Sequence, residues 1–179
     1  YNISGMMNRG SFSRANQNGP EEYGFRGNAR NYDLNRDFIK TDSKNSRCFQ
    51  QIFQWLKPDV FIDNHVSNGA DYQYTFTYIS TNKERLGNVL GNYFNNIMQK
   101  TLLINMEKKG VISVPYVNIH GDVPDGGFSA FIDSPRYATG YTTLFNSIGT
   151  VVETHMLKPY KERVKVTYDY MVDNINYID

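Results

Sequence analysis

The chain has 179 residues, of which 40% are hydrophobic and 15% aromatic, and its 19 basic and 18 acidic side chains give a formal net charge of +1. This apolar content excludes a disordered chain, and the near-neutral charge gives no indication of nucleic-acid binding. No apolar run approaches the ~20 residues that span a bilayer, so no membrane span is expected. The single cysteine, Cys48, excludes an internal disulfide framework and a cysteine-based zinc site.

The first segment of the chain is rich in glycine, asparagine and arginine and shows no apolar periodicity. Residues 1–4 are interpreted as the end of a strand, and residues 5–31 as a long irregular loop. Loops of this length are uncommon in compact domains unless they serve a function.

The first amphipathic helix is predicted to begin near Ser43 and to end before Pro58. Its apolar positions at helical spacing are Phe49, Ile52, Phe53 and Leu56. Cys48 is expected to be a buried residue of this helix. Residues 60–62 then predict a short strand buried on both faces, with His65 close to its end.

Aromatic and polar residues alternate over residues 72–78, which predicts a strand with one buried face. Residues 81–84 have capping-box spacing, and a helix is predicted from there to Gly110. Its predicted apolar stripe is Leu86, Val89, Leu90, Tyr93, Ile97 and Met98.

The last third of the chain predicts two strands and two helices. Residues 111–117 and 150–152 are expected to be strands, the second of which delivers Glu153 at its end. A glycine-containing loop covers residues 120–127, and residues 134–145 predict a short helix. A final helix begins at Pro159, and its predicted apolar side is Val164, Tyr168, Met171 and Ile175.

Strands that alternate with helices of these lengths indicate an α/β sandwich around a largely parallel or mixed sheet. Residues 1–179 contain no internal repeat, charge block or linker, and they are therefore interpreted as one domain.

Two polar clusters follow predicted strands. One contains Asp63 and His65, and the other contains Glu153 and His155. Functional groups of open α/β sheets gather at the carboxyl ends of strands. A neutral imidazole can ligate a divalent metal, and a glutamate beside it can deprotonate a bound water. By this pattern alone, a hydrogen-bonded structural histidine is the alternative.

Asn35 and Arg36 form a third cluster with a different chemistry. An arginine can bind a carboxylate through two parallel hydrogen bonds, with the neighbouring amide donating beside it. The alternative is an arginine paired with Asp33 or Asp37 at the entry of a helix. Arg14 lies in the long loop, where a lone arginine is usually solvated.

Together, the segments Asp-Leu-Asn-Arg-Asp-Phe at 33–38, Asp-Asn-His at 63–65 and Glu-Thr-His-Met at 153–156 resemble the zinc carboxypeptidases of the carboxypeptidase A-like family. The similarity is to a bacterial branch with Asn-Gln-Asn-Gly-Pro and Glu-Thr-His-Met-Leu-Lys-Pro-Tyr signatures. It runs from Tyr1 to about Met171 and covers the C-terminal two-thirds of the catalytic domain. It implies a three-layer sandwich with a central mixed sheet whose N-terminal portion is missing here.

The resemblance implies roles for individual residues around a catalytic zinc ion. His65 matches the third zinc ligand, and Glu153 matches the general base and acid that acts on the zinc-bound water. Asp33 matches the carboxylate that orients the first zinc-binding histidine.

The substrate-facing residues are implied in the same way. Asn35 and Arg36 match the pair that holds the terminal carboxylate of a peptide, and Arg14 matches the arginine that stabilises the oxyanion. Tyr137 is interpreted as lining the pocket, with packing in the core as the alternative.

The chain lacks one motif of the family, and this determines whether zinc binding and activity are expected. The first two zinc ligands of the family form a His-x-x-Glu motif upstream of the matched segment, and neither His120 nor His155 replaces it by spacing. His155 is expected to be structural. We therefore expect this polypeptide to be an inactive fragment, without bound zinc, of an active parent enzyme.

The resemblance implies a zinc-dependent metallocarboxypeptidase that acts on peptide or protein C-termini, in the periplasm or outside the cell. The alternatives are an amidase or deacylase on the same scaffold, and a non-catalytic module that binds peptides. Retention of Glu153 favours an enzyme, whereas the missing His-x-x-Glu favours the binding module.

Overall fold

A computed structural model of the chain describes residues 2–12, 16–67, 71, 73–121 and 124–179. The α-helices are α1 (Ile3–Met7), α2 (Lys44–Leu56), α3 (Lys83–Leu86), α4 (Asn88–Tyr93), α5 (Gln99–Lys108), α6 (Ala138–Thr142) and α7 (Tyr160–Ile178). The strands are β1 (Val60–Ser67), β2 (Phe76–Ser80), β3 (Ser113–Pro115), β4 (Val117–Ile119), β5 (Phe128–Ala130) and β6 (Ile148–His155). Within these residues, no helix is long and apolar enough to cross a membrane.

The strands form a mixed sheet in the order β1-β6-β2-β3. β1 runs parallel to β6, β2 runs antiparallel to β6, and β2 and β3 are parallel. β4 and β5 form a separate antiparallel pair. The predicted mixed α/β class is confirmed.

Helices pack on both faces of the sheet, and each face has its own apolar core. One core contains Phe94, Met98 and Leu102 of the α4–α5 region together with Val166 and Tyr170 of α7. The other core contains Phe53 of α2 and Tyr141 of α6. Consecutive residues of a strand point to opposite faces. For this reason Val152 of β6 lies in the first core and Val151 in the second.

Helix α2 begins and ends where the sequence predicts. The Ser43 side chain accepts a hydrogen bond from the backbone N–H of Ser46, which is the usual interaction of an N-cap serine. Lys57 adopts a left-handed conformation with φ of 47° and ends the helix before Pro58. The prediction that Cys48 is buried is wrong, because its side chain lies on the exposed side of the helix.

The predicted strand at residues 1–4 is also wrong, because Ile3–Met7 form a helical turn. Asn2 caps this turn, and its side-chain amide donates to the backbone carbonyls of Phe25, Arg26 and Gly27. The turn is thereby tied to the irregular segment that follows it.

The apolar stripe predicted after residue 81 is only partly buried. Leu86 and Met98 lie in the core, whereas Val89, Tyr93 and Ile97 are exposed. Gly87, with φ of 75°, separates α3 from α4, and Phe94–Met98 form a π-helical turn. Both interruptions change the helical phase, so that a single 3.6-residue repeat cannot describe the segment.

Helix α7 begins after Pro159 as predicted, but its predicted apolar side does not face the core. Val164, Tyr168, Met171 and Ile175 are exposed. The opposite side is buried although it carries Arg163 and Asp173. Arg163 donates to the carbonyls of Asn18 and Gly19, and Asp173 pairs with Lys109 at 2.6 Å. Partners from distant parts of the chain therefore allow these polar residues to face the core.

The strands differ from the predicted ones mainly in length. β1 and β6 extend through His65 and Glu153, which were expected at strand ends. The period-2 segment at 72–78 begins as a strand only at Phe76, and its first residue lies outside the described residues. Residues 111–117 are divided between β3 and β4.

Candidate functional site

His65 and Glu153 lie opposite each other in the sheet. In the parallel pairing of β1 with β6, they are register partners. Side chains at paired positions of neighbouring strands point to the same face. The fold therefore brings together two residues that are distant in the sequence.

Asp63 lies two residues before His65 and faces the same side of β1. The Nε2 atom of His65 lies 2.8 Å from Oδ2 of Asp63. Burial lowers the pKa of His65, but the hydrogen bond and charge of Asp63, aided by Glu153, outweigh it and raise the pKa overall. Since a carboxylate accepts the Nε2 proton, Nδ1 of the neutral ring carries the free lone pair.

The Glu153 carboxyl is strongly perturbed. Burial raises its pKa to about 7, although the charge of His65 lowers it. The nearby carboxylates of Asp63 and Asp133 also raise it and Arg26 lowers it, and the value of about 7 is the net result of all these effects. Raised carboxyl pKa values in clefts are typical of groups that exchange protons in catalysis.

His65 and Glu153 open into a cavity of about 210 Å³. Asn35, Arg36 and Tyr137 line the same cavity. Five of the six sequence-predicted site residues therefore meet at one place. The sixth, Arg14, lies outside the described residues.

Asn35 and Arg36 belong to a short 3₁₀ turn, Leu34–Arg36, whose N-cap is Asp33. Oδ1 of Asp33 accepts the backbone N–H of Asn35 at 3.1 Å. The Arg36 guanidinium carbon lies 4.5 Å from the ring centre of Tyr137, a cation–π contact that holds the side chain over the ring.

The alternative in which Arg36 pairs with Asp33 or Asp37 is not observed. Asp33 pairs instead with Arg26. Asp37 accepts the backbone N–H groups of Asp42 and Ser43. Among the described residues, Arg36 forms no ion pair, so its charge is available to a ligand.

Arg26 is a cavity residue that sequence reasoning missed. Its Nε and Nη2 atoms donate to Oδ2 of Asp33 at 3.0 and 2.9 Å. Asp33 therefore positions a second guanidinium beside His65 and Glu153. Its position in the sequence, only 7 residues before Asp33 and close to Asn35 and Arg36, could have indicated that it belongs to the same site.

Asp133 is a second cavity residue that sequence reasoning missed. It is 6% exposed. Its Oδ2 accepts the backbone N–H of Thr139 at 3.2 Å and the Thr139 hydroxyl. Within the described residues Oδ1 is buried and has no hydrogen bond of standard geometry, although the backbone N–H of Gly140 also interacts with this carboxyl and lowers its pKa. Nothing in the local sequence distinguishes this aspartate from an ordinary turn residue.

The described residues do not form a complete metal centre. They contain no group of three or more histidine, cysteine, aspartate or glutamate side chains that could hold an ion. A catalytic zinc ordinarily has three protein ligands, and of the described residues the resemblance names His65 as a ligand. His155 is fully buried and its Nδ1 accepts the backbone N–H of Leu157, as expected for a structural residue.

No family model, curated protein or solved structure matches the chain.

Proposed function

We propose that this chain is the C-terminal part of the catalytic domain of a zinc-dependent metallocarboxypeptidase, which hydrolyses the last peptide bond of peptides or proteins. The observation that carries the proposal is the position of His65 and Glu153, which face each other in one cavity with Asn35 and Arg36. The order of the motifs in the sequence supports the same family.

Arg36 and Asn35 are suited to hold the terminal carboxylate of a substrate. A guanidinium presents parallel N–H groups that match the two oxygens of a carboxylate. The Arg36 side chain stacks on Tyr137 and forms no ion pair among the described residues. A carboxylate bound here places the adjacent peptide bond within the cavity, which is a proximity effect.

Glu153 is suited to act as general base and then general acid. In the metal-free protein, a carboxyl with a pKa of about 7 is close to half ionised at neutral pH. It can therefore take a proton from the attacking water and return it to the leaving amine. Arg14 stays the predicted oxyanion-facing arginine, and Arg26, which Asp33 positions in the cavity, is proposed as a second guanidinium that faces the developing oxyanion.

The zinc ion is proposed for the intact protein and not for these residues alone. His65 would ligate through Nδ1, because Nε2 is bonded to Asp63. The other two ligands are proposed to come from a His-x-x-Glu motif in a preceding part of the domain. The 179 residues alone are accordingly proposed to be inactive, and the parent enzyme to act in the periplasm or outside the cell.

The test uses the intact parent protein with zinc and a pair of peptides that differ only in a free or amidated C-terminus. Glu153→Gln should lower kcat by about 10²–10⁴-fold, because general base catalysis typically contributes this much. Glu107→Gln, on the exposed surface of α5, is the matched control and should leave kcat unchanged. Full activity of Glu153→Gln would refute the proposal.

The carboxylate-binding role is tested with the same peptides. Arg36→Ala should raise KM for the free C-terminus and remove the preference over the amide. If wild type cleaves the amidated peptide equally well, the site is an amidase or deacylase instead. If wild type binds the free C-terminus without cleaving it, the site belongs to a binding module.

A further inference from the structure

Arg163 of α7 is a buried cation to which the proposed reaction assigns no role. It is 3% exposed, and among the described residues it forms no ion pair with a carboxylate. A buried guanidinium is costly unless its N–H groups are satisfied. Here backbone carbonyls accept them: Nε donates to Lys158 at 3.0 Å, and Nη2 donates to Asn18 at 3.0 Å and to Gly19 at 2.5 Å. Arg163 therefore joins α7 to the connection after β6 and to a loop near the start of the chain.

The loop at residues 16–19 fits closely against the start of α7. The backbone N–H of Asn18 donates to the carbonyl of Met156 at 2.8 Å. Gly19 has a φ of 77°, and a Cβ atom at this position would lie only 3.0 Å from Cβ of Tyr160. A residue with a side chain would therefore be strained at Gly19. Both the hydrogen bonds and the close approach fix the loop at this place.

This loop contributes to the wall of a second cavity, which has a volume of about 410 Å³. Gln17, Pro20 and Tyr23 line it on the loop side, and the Tyr23 hydroxyl donates to the carbonyl of Gln17 at 2.9 Å. The residues that line both this cavity and the first one are Arg26, Asn35, His65 and Val66. The two cavities therefore meet beside His65. A peptide whose last residue occupies the first cavity can extend past His65 into the second.

We propose that Arg163 is a positioning residue, which holds the loop at residues 16–19 so that Gln17 and Pro20 contact the part of a peptide that precedes the scissile bond. Arg163 acts through this loop and not on the reacting atoms. A planar guanidinium can donate to several carbonyls at once, which suits it to join separate backbone segments. The inference rests on the proposed function, because it adds a positioning residue to the same site.

The first test measures the loop itself and does not depend on hydrolysis. Native-state hydrogen exchange of the 179-residue chain is followed by NMR in wild type and in Arg163→Met, which keeps an aliphatic stem but removes the donors. Protection of the Asn18 amide should fall about 10- to 100-fold more than protection of the β6 amides, as expected for the loss of hydrogen bonds from a charged donor. An equal fall at Asn18 and in β6, or an unprotected Asn18 amide in wild type, would overturn the inference.

Two further variants make this test specific. Gly19→Ala disturbs the same contact from the side of the loop, so it decides the question if Arg163→Met does not fold by circular dichroism; it should also lower protection selectively at Asn18. Arg47→Met is the matched control. Arg47 likewise donates to backbone carbonyls, those of Ser43 and Asp42, but it lies on α2 and lines neither cavity. This variant should leave the exchange of Asn18 unchanged.

The second test separates the inference from the proposed function. The intact, zinc-loaded parent is given an acetylated dipeptide and an acetylated pentapeptide with the same last two residues. Arg163→Met should raise KM for the pentapeptide about 10-fold, the change expected when a hydrogen-bonded contact is lost, and should leave kcat and the KM for the dipeptide unchanged. A similar loss with both peptides shows a merely structural role and refutes the positioning role. Absence of cleavage by wild type refutes the peptidase, whereas the exchange result still decides whether Arg163 holds the loop.

Discussion

Glu153→Gln should stabilise the metal-free protein at alkaline pH. The folded state holds the pKa of Glu153 at about 7, against an ordinary value of 4.5. At a pH between these two pKa values, Glu153 is more protonated in the folded state than in the unfolded state. The free energy of unfolding therefore falls as the pH rises through this interval. Glutamine cannot ionise, so this contribution disappears in the variant.

The size of the effect follows from the shift. A pKa change from 4.5 to about 7 corresponds to about 3 kcal/mol, since each unit is worth ~1.4 kcal/mol. His65 acts in the same direction. Because its pKa is raised in the folded state, it adds to the free energy of unfolding at low pH, and this addition is lost as the pH rises through its folded-state pKa. Wild type should therefore lose at least this amount between about pH 4.5 and about pH 8. The variant should lose about 3 kcal/mol less than wild type.

The assay is urea unfolding followed by far-ultraviolet circular dichroism, with a chelator present so that no metal binds the folded state. Glu107→Gln serves as the control and should follow the wild-type curve at every pH. If Glu153→Gln and wild type lose stability in parallel, burial does not perturb this carboxyl, and the reasoning about the general base fails with it.

Three further changes test the geometry around the site and in the core. Asp63→Asn should lower the pKa of His65, because it removes the carboxylate that raises it; an NMR titration of the imidazole protons checks this, and an unchanged pKa contradicts it. Phe76→Ala should cost about 3–5 kcal/mol of unfolding free energy, because Phe76 is 0% exposed, whereas Phe12→Ala, at a residue 90% exposed, should cost almost nothing. Ser43→Ala should cost about 1 kcal/mol by removal of the α2 N-cap, and an unchanged denaturation midpoint would show that the cap contributes nothing.

Local signals predicted the elements that depend on local interactions. Ser43 and Pro58 define the limits of α2 because capping and the missing proline N–H act over a few residues. The short apolar run at 60–62 predicted the edge strand β1, and the valines at 151–152 predicted its neighbour β6. The pairing of His65 with Glu153 came from the family resemblance, since periodicity contains no information about register between distant strands.

The errors arose where tertiary contacts override a local pattern. The apolar side of α7 is exposed because Arg163 and Asp173 find partners on the other side. The turn at Ile3–Met7 exists because Asn2 bonds carbonyls more than 20 residues away. Asp133 was missed because its place in the cavity depends on tertiary burial, which its sequence neighbours do not indicate.

The parallel pairing of β1 with β6 has a consequence for how the cavity can adapt. His65 and Glu153 are carried by adjacent strands, and main-chain hydrogen bonds fix the strand spacing at about 4.8 Å. Their backbones cannot separate unless that ladder breaks. Arg26, Arg36 and Tyr137 instead lie outside the strands. Under the proposed function, adjustment to different substrates should therefore occur in these connecting segments, while the spacing of His65 and Glu153 stays fixed.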